Sequence, residues 1–239
     1  MTPSASPLTS ESIVVGRSVR MRALFDFMQV IGGSDSTVLI TGESGTGKDL
    51  IAKVVHYSSL RAARPFLNIT CSALPESLLE SELFGHERGA FTDARQQKRG
   101  LLEQADEGSV FLDEIAEMTP ALQAKFLRFL EEKAFRRVGG SGDIAVDVRI
   151  IAATNRDLET LVREGPFREN LSYRLNVLRI AVPPLRARED DVLELARAFV
   201  QTFAREFSRA PRAISPAVMT MFTSHAWPGN IRELRNLIE

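Results

Sequence analysis

Hydrophobic side chains along this chain follow two different spacings. From Ile13 to Val182, short apolar runs alternate with amphipathic stretches, and this alternation predicts a parallel sheet covered by helices. After Pro183 and Pro184 the spacing becomes helical and predicts a small helical unit. The apolar residues that recur there are Val192, Leu195, Ala196, Phe199, Val200 and Phe203. We therefore expect an α/β core over 13–182 and a helical lid over 183–239.

The amino-terminal segment differs in composition from the rest of the chain. Residues 1–12 are rich in Ser, Thr and Pro, which predicts a disordered tail or linker. They have neither the basic start nor the apolar centre of a secretory signal. No apolar run along the chain is long enough to span a bilayer. We therefore expect a cytoplasmic protein with no membrane partner.

The first apolar run, Val38–Ile40, leads into a glycine-rich segment, GESGTGKD, and then into a helix-compatible stretch from Asp49 to Tyr57. Glycines there let backbone N–H groups turn inward around phosphate oxygens, and the start of the helix adds partial positive charge. Lys48 would reach the β- and γ-phosphates of a nucleotide. The predicted nucleotide-binding residues are Gly42, Glu43, Ser44, Gly45, Thr46, Gly47, Lys48 and Asp49.

Asp49 departs from the usual phosphate-loop pattern, which has Ser or Thr after the lysine to place a hydroxyl on Mg²⁺. A carboxylate can meet the metal directly or through water. Its negative charge would also lie close to the polyphosphate. The sequence leaves the role of Asp49 open.

An acidic pair follows the second apolar run, Val110–Leu112. This run is typical of a central parallel strand, and ligands bind at the carboxyl ends of such strands. Asp113 is therefore placed to hold Mg²⁺ through water, and Glu114 to orient or deprotonate the attacking water. Alone, the pair would be a strand end meeting solvent; the preceding phosphate loop favours the functional interpretation.

A third apolar strand, Val148–Ala152, leads to Thr154 and Asn155. Asn155 is a candidate sensor of the γ-phosphate or holder of the water. It could equally cap the helix predicted after Asp157. Near the end of the chain, Asn230 and Glu233 form a second pattern, a capping pair that would orient the last helix.

Five ordered motifs together resemble the central AAA+ domain of bacterial enhancer-binding proteins, which remodel the sigma-54 form of RNA polymerase. The resemblance covers the chain from about Ile13 to its last residue. It implies a P-loop AAA+ core with a helical lid, ATP and Mg²⁺ as cofactors, and a homo-oligomeric ring, a hexamer. The motifs are GESGTGKD (42–49), SELFGHERGAFTDA (81–94), GSVFLDEI (108–115), FRENLSYRLNV (167–177) and WPGNIRELRN (227–236).

The GAFTDA segment matches the family's effector loop, which contacts sigma-54 when ATP is bound. Phe91 and Thr92 match the residues at the tip of that loop. Asp93 stands where the family usually has Gly, and this difference bears on the flexibility of the loop or the strength of its contact. The resemblance assigns sigma-54 contact to Gly89, Ala90, Phe91, Thr92, Asp93 and Ala94.

The resemblance also assigns roles around the nucleotide. Thr70 matches the family's usual Asn, which pairs with the acidic-strand Glu and relays the nucleotide state; a Thr hydroxyl can still reach Glu114, with shorter reach. Arg232 matches the second sensor, in the lid. Arg168 and Arg174 match arginine fingers, which act on ATP bound by the neighbouring subunit.

A chemical argument supports the finger assignment, because a guanidinium stabilises the charge that spreads as the γ-phosphate leaves, worth roughly 10³–10⁵ in rate. The alternative is that both arginines pair with surface carboxylates. The candidate carboxylates are Glu169, Asp190 and Asp191.

Composition excludes several other classes of function. Thirty Lys and Arg against thirty-one Asp and Glu give a net charge of −1, so no overall basic field draws nucleic acid. One cysteine, Cys71, excludes an internal disulfide, and the three histidines lack zinc-ligand spacing.

The predicted function is therefore ATP-driven remodelling of the sigma-54 RNA polymerase holoenzyme. Alternatives are an AAA+ ATPase that acts on a different protein and a nucleotide-dependent scaffold without turnover; a phosphotransferase has least support, since no acceptor site is evident. The end of the chain in a predicted helix suggests a fragment. Family members usually carry a regulatory domain before this region and a helix-turn-helix domain after it, and DNA contact is expected from the latter.

Overall fold

The structure is a computed structural model and describes residues 16–188 and 191–239. The predicted tail, 1–12, lies outside these residues. At the centre is a five-stranded sheet with the order β2-β5-β8-β1-β9, in which every pairing is parallel. The strands are β1 (Val38–Thr41), β2 (Phe66–Thr70), β3 (Gly85–His86), β4 (Lys98–Arg99), β5 (Ser109–Asp113), β6 (Ala134–Phe135), β7 (Ile144–Ala145), β8 (Arg149–Thr154) and β9 (Leu178–Ala181).

Helices surround this sheet and form the carboxyl-terminal region. They are α1 (Val19–Gly32), α2 (Lys48–Tyr57), α3 (Glu76–Phe84), α4 (Leu101–Gln104), α5 (Pro120–Glu132), α6 (Leu158–Glu164), α7 (Glu169–Leu175), α8 (Asp191–Glu206), α9 (Pro216–Ser224) and α10 (Asn230–Ile238). Among the described residues, no helix combines the length and apolar character needed to cross a bilayer.

The core lies on both faces of the sheet. Within β5, Val110 and Leu112 pack into one buried cluster with Phe126 of α5, whereas Phe111 packs into a second cluster with Ile51 of α2. Successive side chains of a strand point to opposite faces, so an uninterrupted apolar run is what a strand covered on both sides requires. This arrangement confirms the predicted α/β fold.

The carboxyl ends of β1, β5 and β8 lie at the same edge of the sheet. Gly42, just after β1, donates its N–H to the carbonyl of Thr154 at the end of β8 (3.2 Å). Parallel strands joined by helical crossovers place these ends together, and the loops that follow them form the usual ligand crevice. The sequence signals at 42–49, 113–114 and 154–155 therefore converge.

A third hydrophobic cluster forms the centre of the helical region after β9. Its buried members are Leu185, Val192, Leu195, Ala196, Trp227 and Leu234. Arg188 links this region to the core: its buried guanidinium donates to the carbonyls of Pro183 (2.9 Å) and Thr46 (2.8 Å). Burial lowers the pKa of Arg188 to about 10.

The predicted capping pair at the last helix is only half correct. Glu233 does reach back, and accepts the N–H of Gly229 (2.8 Å). Asn230 does not cap: its side chain accepts the N–H of Leu185 (2.8 Å) and donates to the carbonyl of Ser44 (3.0 Å). Its amide is used to join the lid to the glycine-rich loop, a contact between residues distant in sequence.

Candidate functional site

The glycine-rich loop adopts a conformation that requires glycine. Gly45 and Gly47 have φ angles of 76° and 89°, in the left-handed region that residues with a Cβ rarely adopt. A Cβ on Gly45 would also lie 2.4 Å from the carbonyl oxygen of Gly229. The loop therefore turns tightly and the lid approaches it closely.

Lys48 is the first residue of α2, and its ammonium lies beneath the loop. Its Nζ donates to the carbonyls of Gly42 and Glu43, both at 3.0 Å. Burial lowers the pKa of Lys48, while the carboxylates of Asp113 and Glu114 act in the opposite direction. A largely buried cation with neutral carbonyl partners is suited to an incoming anion, because a charge-assisted bond is stronger than a neutral one.

Asp113 and Glu114 follow β5 at the predicted edge. Asp113 is partly buried, and burial raises the pKa of its carboxyl group; its Oδ1 accepts the N–H of Glu114 (2.9 Å). Glu114 has a φ of 55°, a left-handed conformation that is costly for a non-glycine residue and is concentrated at functional sites. The carboxylates of Asp113 and Glu114 therefore extend from a turn whose backbone is restrained by this hydrogen bond.

A cleft of about 710 Å³ connects these residues, a volume within the usual range for ligand sites. It brings together most of the predicted nucleotide residues. Those that line it are Ser44, Gly45, Gly47, Lys48, Asp49, Thr70, Asp113, Glu114, Asn155 and Arg232.

The carboxylates of the cleft fit Mg²⁺ as a phosphate-bound ion. No group of three or more His, Cys, Asp or Glu side chains within the described residues forms a metal cage. Mg²⁺ is usually bound through one or two carboxylates together with waters and substrate phosphates. Asp113 and Asp49, on the same cleft as Lys48, supply that limited donor set.

Two predicted loop residues face away from the cleft. Thr46 is buried, and its hydroxyl donates to the carbonyl of Glu43 (2.8 Å). The carboxylate of Glu43 accepts two bonds from the guanidinium of Arg186 (2.5 and 2.9 Å) and one from the amide of Asn230 (3.1 Å). Arg186 first and Asn230 second lower the pKa of Glu43 to about 2. Glu43 therefore joins the loop to the lid.

A hydrogen bond from Ser72 to Glu114 takes the place of the expected contact between Thr70 and Glu114. Within the described residues, the carboxylate of Glu114 accepts a hydrogen bond from the hydroxyl of Ser72, and Thr70 makes no hydrogen bond to it. Thr70 still lines the cleft from the end of β2. Sequence analysis missed Ser72, because its relation to Glu114 depends on how two short turns meet across the sheet edge.

Asn155 does not cap a helix, which removes one of its two interpretations. Asp157 is the N-cap of α6, and its carboxylate accepts the N–H of Glu159 (3.2 Å). Asn155 is exposed and lines the cleft. Arg232 lies on the lid side of the same cleft, where its Nη1 donates to the hydroxyl of Ser44 (3.1 Å).

Arg168 and Arg174 do not line the cleft of their own chain. Both are exposed on or beside α7; Arg168 donates to the carbonyl of Pro120 (3.2 Å), and Arg174 lies 3.8 Å from a carboxylate oxygen of Glu131. Of the three carboxylates considered from sequence, Glu169 and Asp191 have other partners. Glu169 accepts from Tyr173, Asp191 is buried against Ser18, and Asp190 lies outside the described residues.

The segment 89–94 forms a closed loop with an exposed tip. Gly89, with a φ of 80°, donates its N–H to the carbonyl of Ala94 (2.8 Å), and Ala94 is buried. Phe91, Thr92 and Asp93 between them are exposed. Phe91 is 40% exposed, so part of its ring is accessible to solvent at the tip of the loop.

Two contacts hold this loop against the rest of the domain, one at its tip and one at its base. The ring of Phe91 meets His86 edge-on, with centroids 4.9 Å apart, and His86 shares a hydrogen bond with the hydroxyl of Ser81 (2.7 Å). Arg137, from the hairpin of β6 and β7, donates to the carboxylates of Glu87 (2.8 Å) and Glu103 (2.7 Å). The loop is therefore held at its base by Arg137, and Phe91 at its tip packs partly on His86.

Comparison with known proteins gives two family matches. The Sigma-54 interaction domain model matches residues 14–181, and the AAA+ ATPase lid domain model matches residues 186–239. The chain is 54% identical over 229 residues to the Nif-specific regulatory protein of Azotobacter vinelandii, covering 96% of this chain and 44% of that protein. It is 58% identical over 206 residues to the regulatory protein AtoC of Escherichia coli (strain K12), covering 86% and 45%.

Solved structures of NtrX from Brucella abortus have the same fold. Structures of NtrX in complex with ADP and with ATP match with a TM-score of 0.88 and 40% identity, covering 95% of this chain and 49% of theirs. The chain thus spans about half the length of the relatives it matches. On the family match, the chain belongs to the Sigma-54 interaction domain family of AAA+ proteins.

Proposed function

We propose that this domain hydrolyses ATP and uses the cycle to remodel the sigma-54 RNA polymerase holoenzyme in the cytoplasm. The observation that carries the proposal is the combination of one cleft and one exposed loop. The cleft gathers Lys48, Asp113 and Glu114 with the glycine-rich loop, and the segment 89–94 presents Phe91 to solvent. The names of the relatives and the nucleotides bound to NtrX agree with this proposal.

The chemistry assigned to the cleft follows from its charges. Lys48 and the loop N–H groups hold the phosphates, and Arg232 approaches them from the lid. Asp113 would hold Mg²⁺, and the ion would neutralise charge on the phosphates. Glu114 orients and deprotonates the attacking water. Asn155 senses the γ-phosphate from the neighbouring strand end.

Completion of the site requires a second subunit. Arg168 and Arg174 are exposed and do not line their own cleft, so they are available to a neighbouring copy. We assign them as arginine fingers in a homo-oligomeric ring, a hexamer. The charge that develops as the γ-phosphate departs is then stabilised only after assembly.

The experiment that tests the partner is co-elution with purified sigma-54. The protein is incubated with Mg·ADP and aluminium fluoride, which mimics the transition state of hydrolysis, and compared with ADP alone. We expect co-elution only in the trapped state. Phe91→Ala should abolish it while leaving ATP turnover within about twofold, because the side chain lies at the tip of the loop and outside the cleft.

A matched control is Phe207→Ala, since Phe207 is also an exposed phenylalanine but lies in the lid. This variant should co-elute as the wild type does. If a protein that hydrolyses ATP failed to bind sigma-54 in the trapped state, a different protein partner would be indicated. A joint loss of turnover and binding in Phe91→Ala would show that Phe91 has a packing role instead.

A further inference from the structure

We propose that Ser72 is a positioning residue for Glu114 and links the hydrolytic cleft to the helix that carries loop 89–94. The inference rests on the ATPase activity proposed above. It assigns a role to a residue outside the phosphate loop and the acidic strand. The direct observation is the hydrogen bond that the Ser72 hydroxyl donates to Oε2 of Glu114.

The backbone of Glu114 is already fixed, so this bond determines where its carboxylate lies. Its N–H donates to Oδ1 of Asp113 (2.9 Å), and its carbonyl accepts the N–H of Glu117 (2.9 Å). Within the described residues, Ser72 is the hydrogen-bond donor to this carboxylate. One oxygen is held by the hydroxyl, and Oε1 is left to accept a proton from water.

The turn that carries Ser72 is anchored by its neighbour in sequence. Ser72 lies in a short 3-10 turn, Cys71–Ala73, that directly follows β2. Cys71 is buried in the core cluster of the sheet, and burial raises the pKa of its thiol to about 12. A thiol of this kind is unreactive and serves packing. It fixes the turn so that the Ser72 hydroxyl faces Glu114.

The same turn leads directly into the helix that ends at the effector loop. After Ala73 the chain passes through Pro75 into α3, whose residues Leu79, Leu83 and Phe84 are buried. His86 follows α3 and contacts Phe91. A nine-residue helix moves as a unit, so a change in the Ser72–Glu114 bond can displace the base of the loop.

Steady-state ATP hydrolysis tests the positioning role. Ser72→Ala should lower kcat about tenfold or more, with KM for ATP changed less than about twofold, because a misplaced base impairs chemistry and not binding. Ser72→Thr, which keeps the hydroxyl, should retain most of the activity. Ser224→Ala is the matched control, since among the described residues the Ser224 hydroxyl bonds to the carbonyl of Met221, within α9 of the lid.

A double variant separates an effect through Glu114 from an independent one. In a Glu114→Gln background, Ser72→Ala should lower the remaining turnover by less than about twofold, because residues that act as a unit are not additive. An unchanged kcat in Ser72→Ala would overturn the proposal. So would an equal fall in both backgrounds.

A measurement on the loop does not depend on turnover. Asp93→Cys allows a fluorophore to be attached at the exposed tip, since the native Cys71 is buried. A non-hydrolysable ATP analogue should change the fluorescence of this protein, and Ser72→Ala should reduce that change at least about twofold at saturating analogue.

If the wild type did not hydrolyse ATP, the proposed function would fail, yet this fluorescence change would still decide whether Ser72 couples the cleft to the loop. An identical response with and without the Ser72 hydroxyl would refute that coupling.

Discussion

At the scale of single residues, Glu114 occupies a backbone conformation that is unfavourable for a non-glycine residue. Its φ of 55° follows directly from the turn that ends β5. Such conformations persist only where the surrounding structure holds them, and here the carbonyl and N–H of Glu114 are both hydrogen-bonded. The backbone of Glu114 and the hydroxyl of Ser72 thus determine the position of this carboxylate. Its negative charge allows it to act as a base.

Glu114→Gln tests that chemistry, because it keeps the shape of the side chain and removes the base. We expect ATP to bind with nearly unchanged affinity and hydrolysis to slow by about a hundredfold or more. Equilibrium nucleotide binding and phosphate release measure the two effects separately. Glu164→Gln, an exposed change at the end of α6, should leave both unchanged. Near-normal turnover in Glu114→Gln would exclude Glu114 as the water-activating group.

At the scale of elements, the lid and the phosphate loop are joined by a polar contact. The carboxylate of Glu43 bonds to Arg186 and to Asn230, and Arg188 bonds to the carbonyl of Thr46. These contacts connect the turn after β9 and the start of α10 to the residues before α2. Movement of the lid therefore changes the surroundings of the loop that is expected to hold phosphate.

The pH dependence of this contact has a definite sign. The pKa of Glu43 is lowered from 4.5 to about 2, so the contact contributes fully above pH 4.5 and its contribution is lost as pH falls toward 2. Arg186→Gln removes the main cause and should return the pKa toward 4.5. A carboxyl carbon NMR titration at about pH 4 should show an ionised Glu43 in the wild type and partial protonation in the variant. Equal protonation in both proteins would mean that the ion pair is not formed in solution.

At the scale of the whole molecule, the candidate fingers of one chain do not line its own nucleotide cleft. Arg168 and Arg174 are exposed beside α7, while Lys48 and Glu114 line the cleft. If these arginines act as fingers, a single copy of the molecule would bind ATP without its full set of positive charges. The proposed activity should therefore depend on assembly.

Mixing two inactive variants tests this dependence. Lys48→Ala should lack nucleotide binding, and Arg168→Ala combined with Arg174→Ala should lack fingers; each alone should hydrolyse ATP at least about a hundredfold more slowly. Mixed together, they should regain part of the activity, because junctions form that carry an intact cleft and intact fingers. Arg163→Ala, an exposed change on α6, is the control and should behave as wild type. A mixture no more active than its components would place both arginines outside the neighbouring site.

Much of this protein could be predicted from local patterns. The alternation of apolar runs predicted the α/β fold, and the structure confirms it as a five-stranded parallel sheet. A Thr before a Pro is a local signal for the start of a helix, and at the start of α5 the Thr119 hydroxyl accepts the N–H of Leu122 (3.4 Å). These features depend on backbone hydrogen bonds and periodic burial among residues near each other in sequence.

Sequence by itself thus determined the chemistry of the cleft, because glycine at left-handed positions, a lysine before a helix and carboxylates after a strand are local requirements. Only the tertiary structure decided which groups meet. It assigned Ser72 rather than Thr70 to Glu114, turned Glu43 and Asn230 toward each other, and removed Asn155 from helix capping. The physical reason is that the bonds of Ser72 and Glu43 join residues distant along the chain, so how the turns and lid pack sets their distances; at the start of α6, the backbone geometry made Asp157 and not Asn155 the cap.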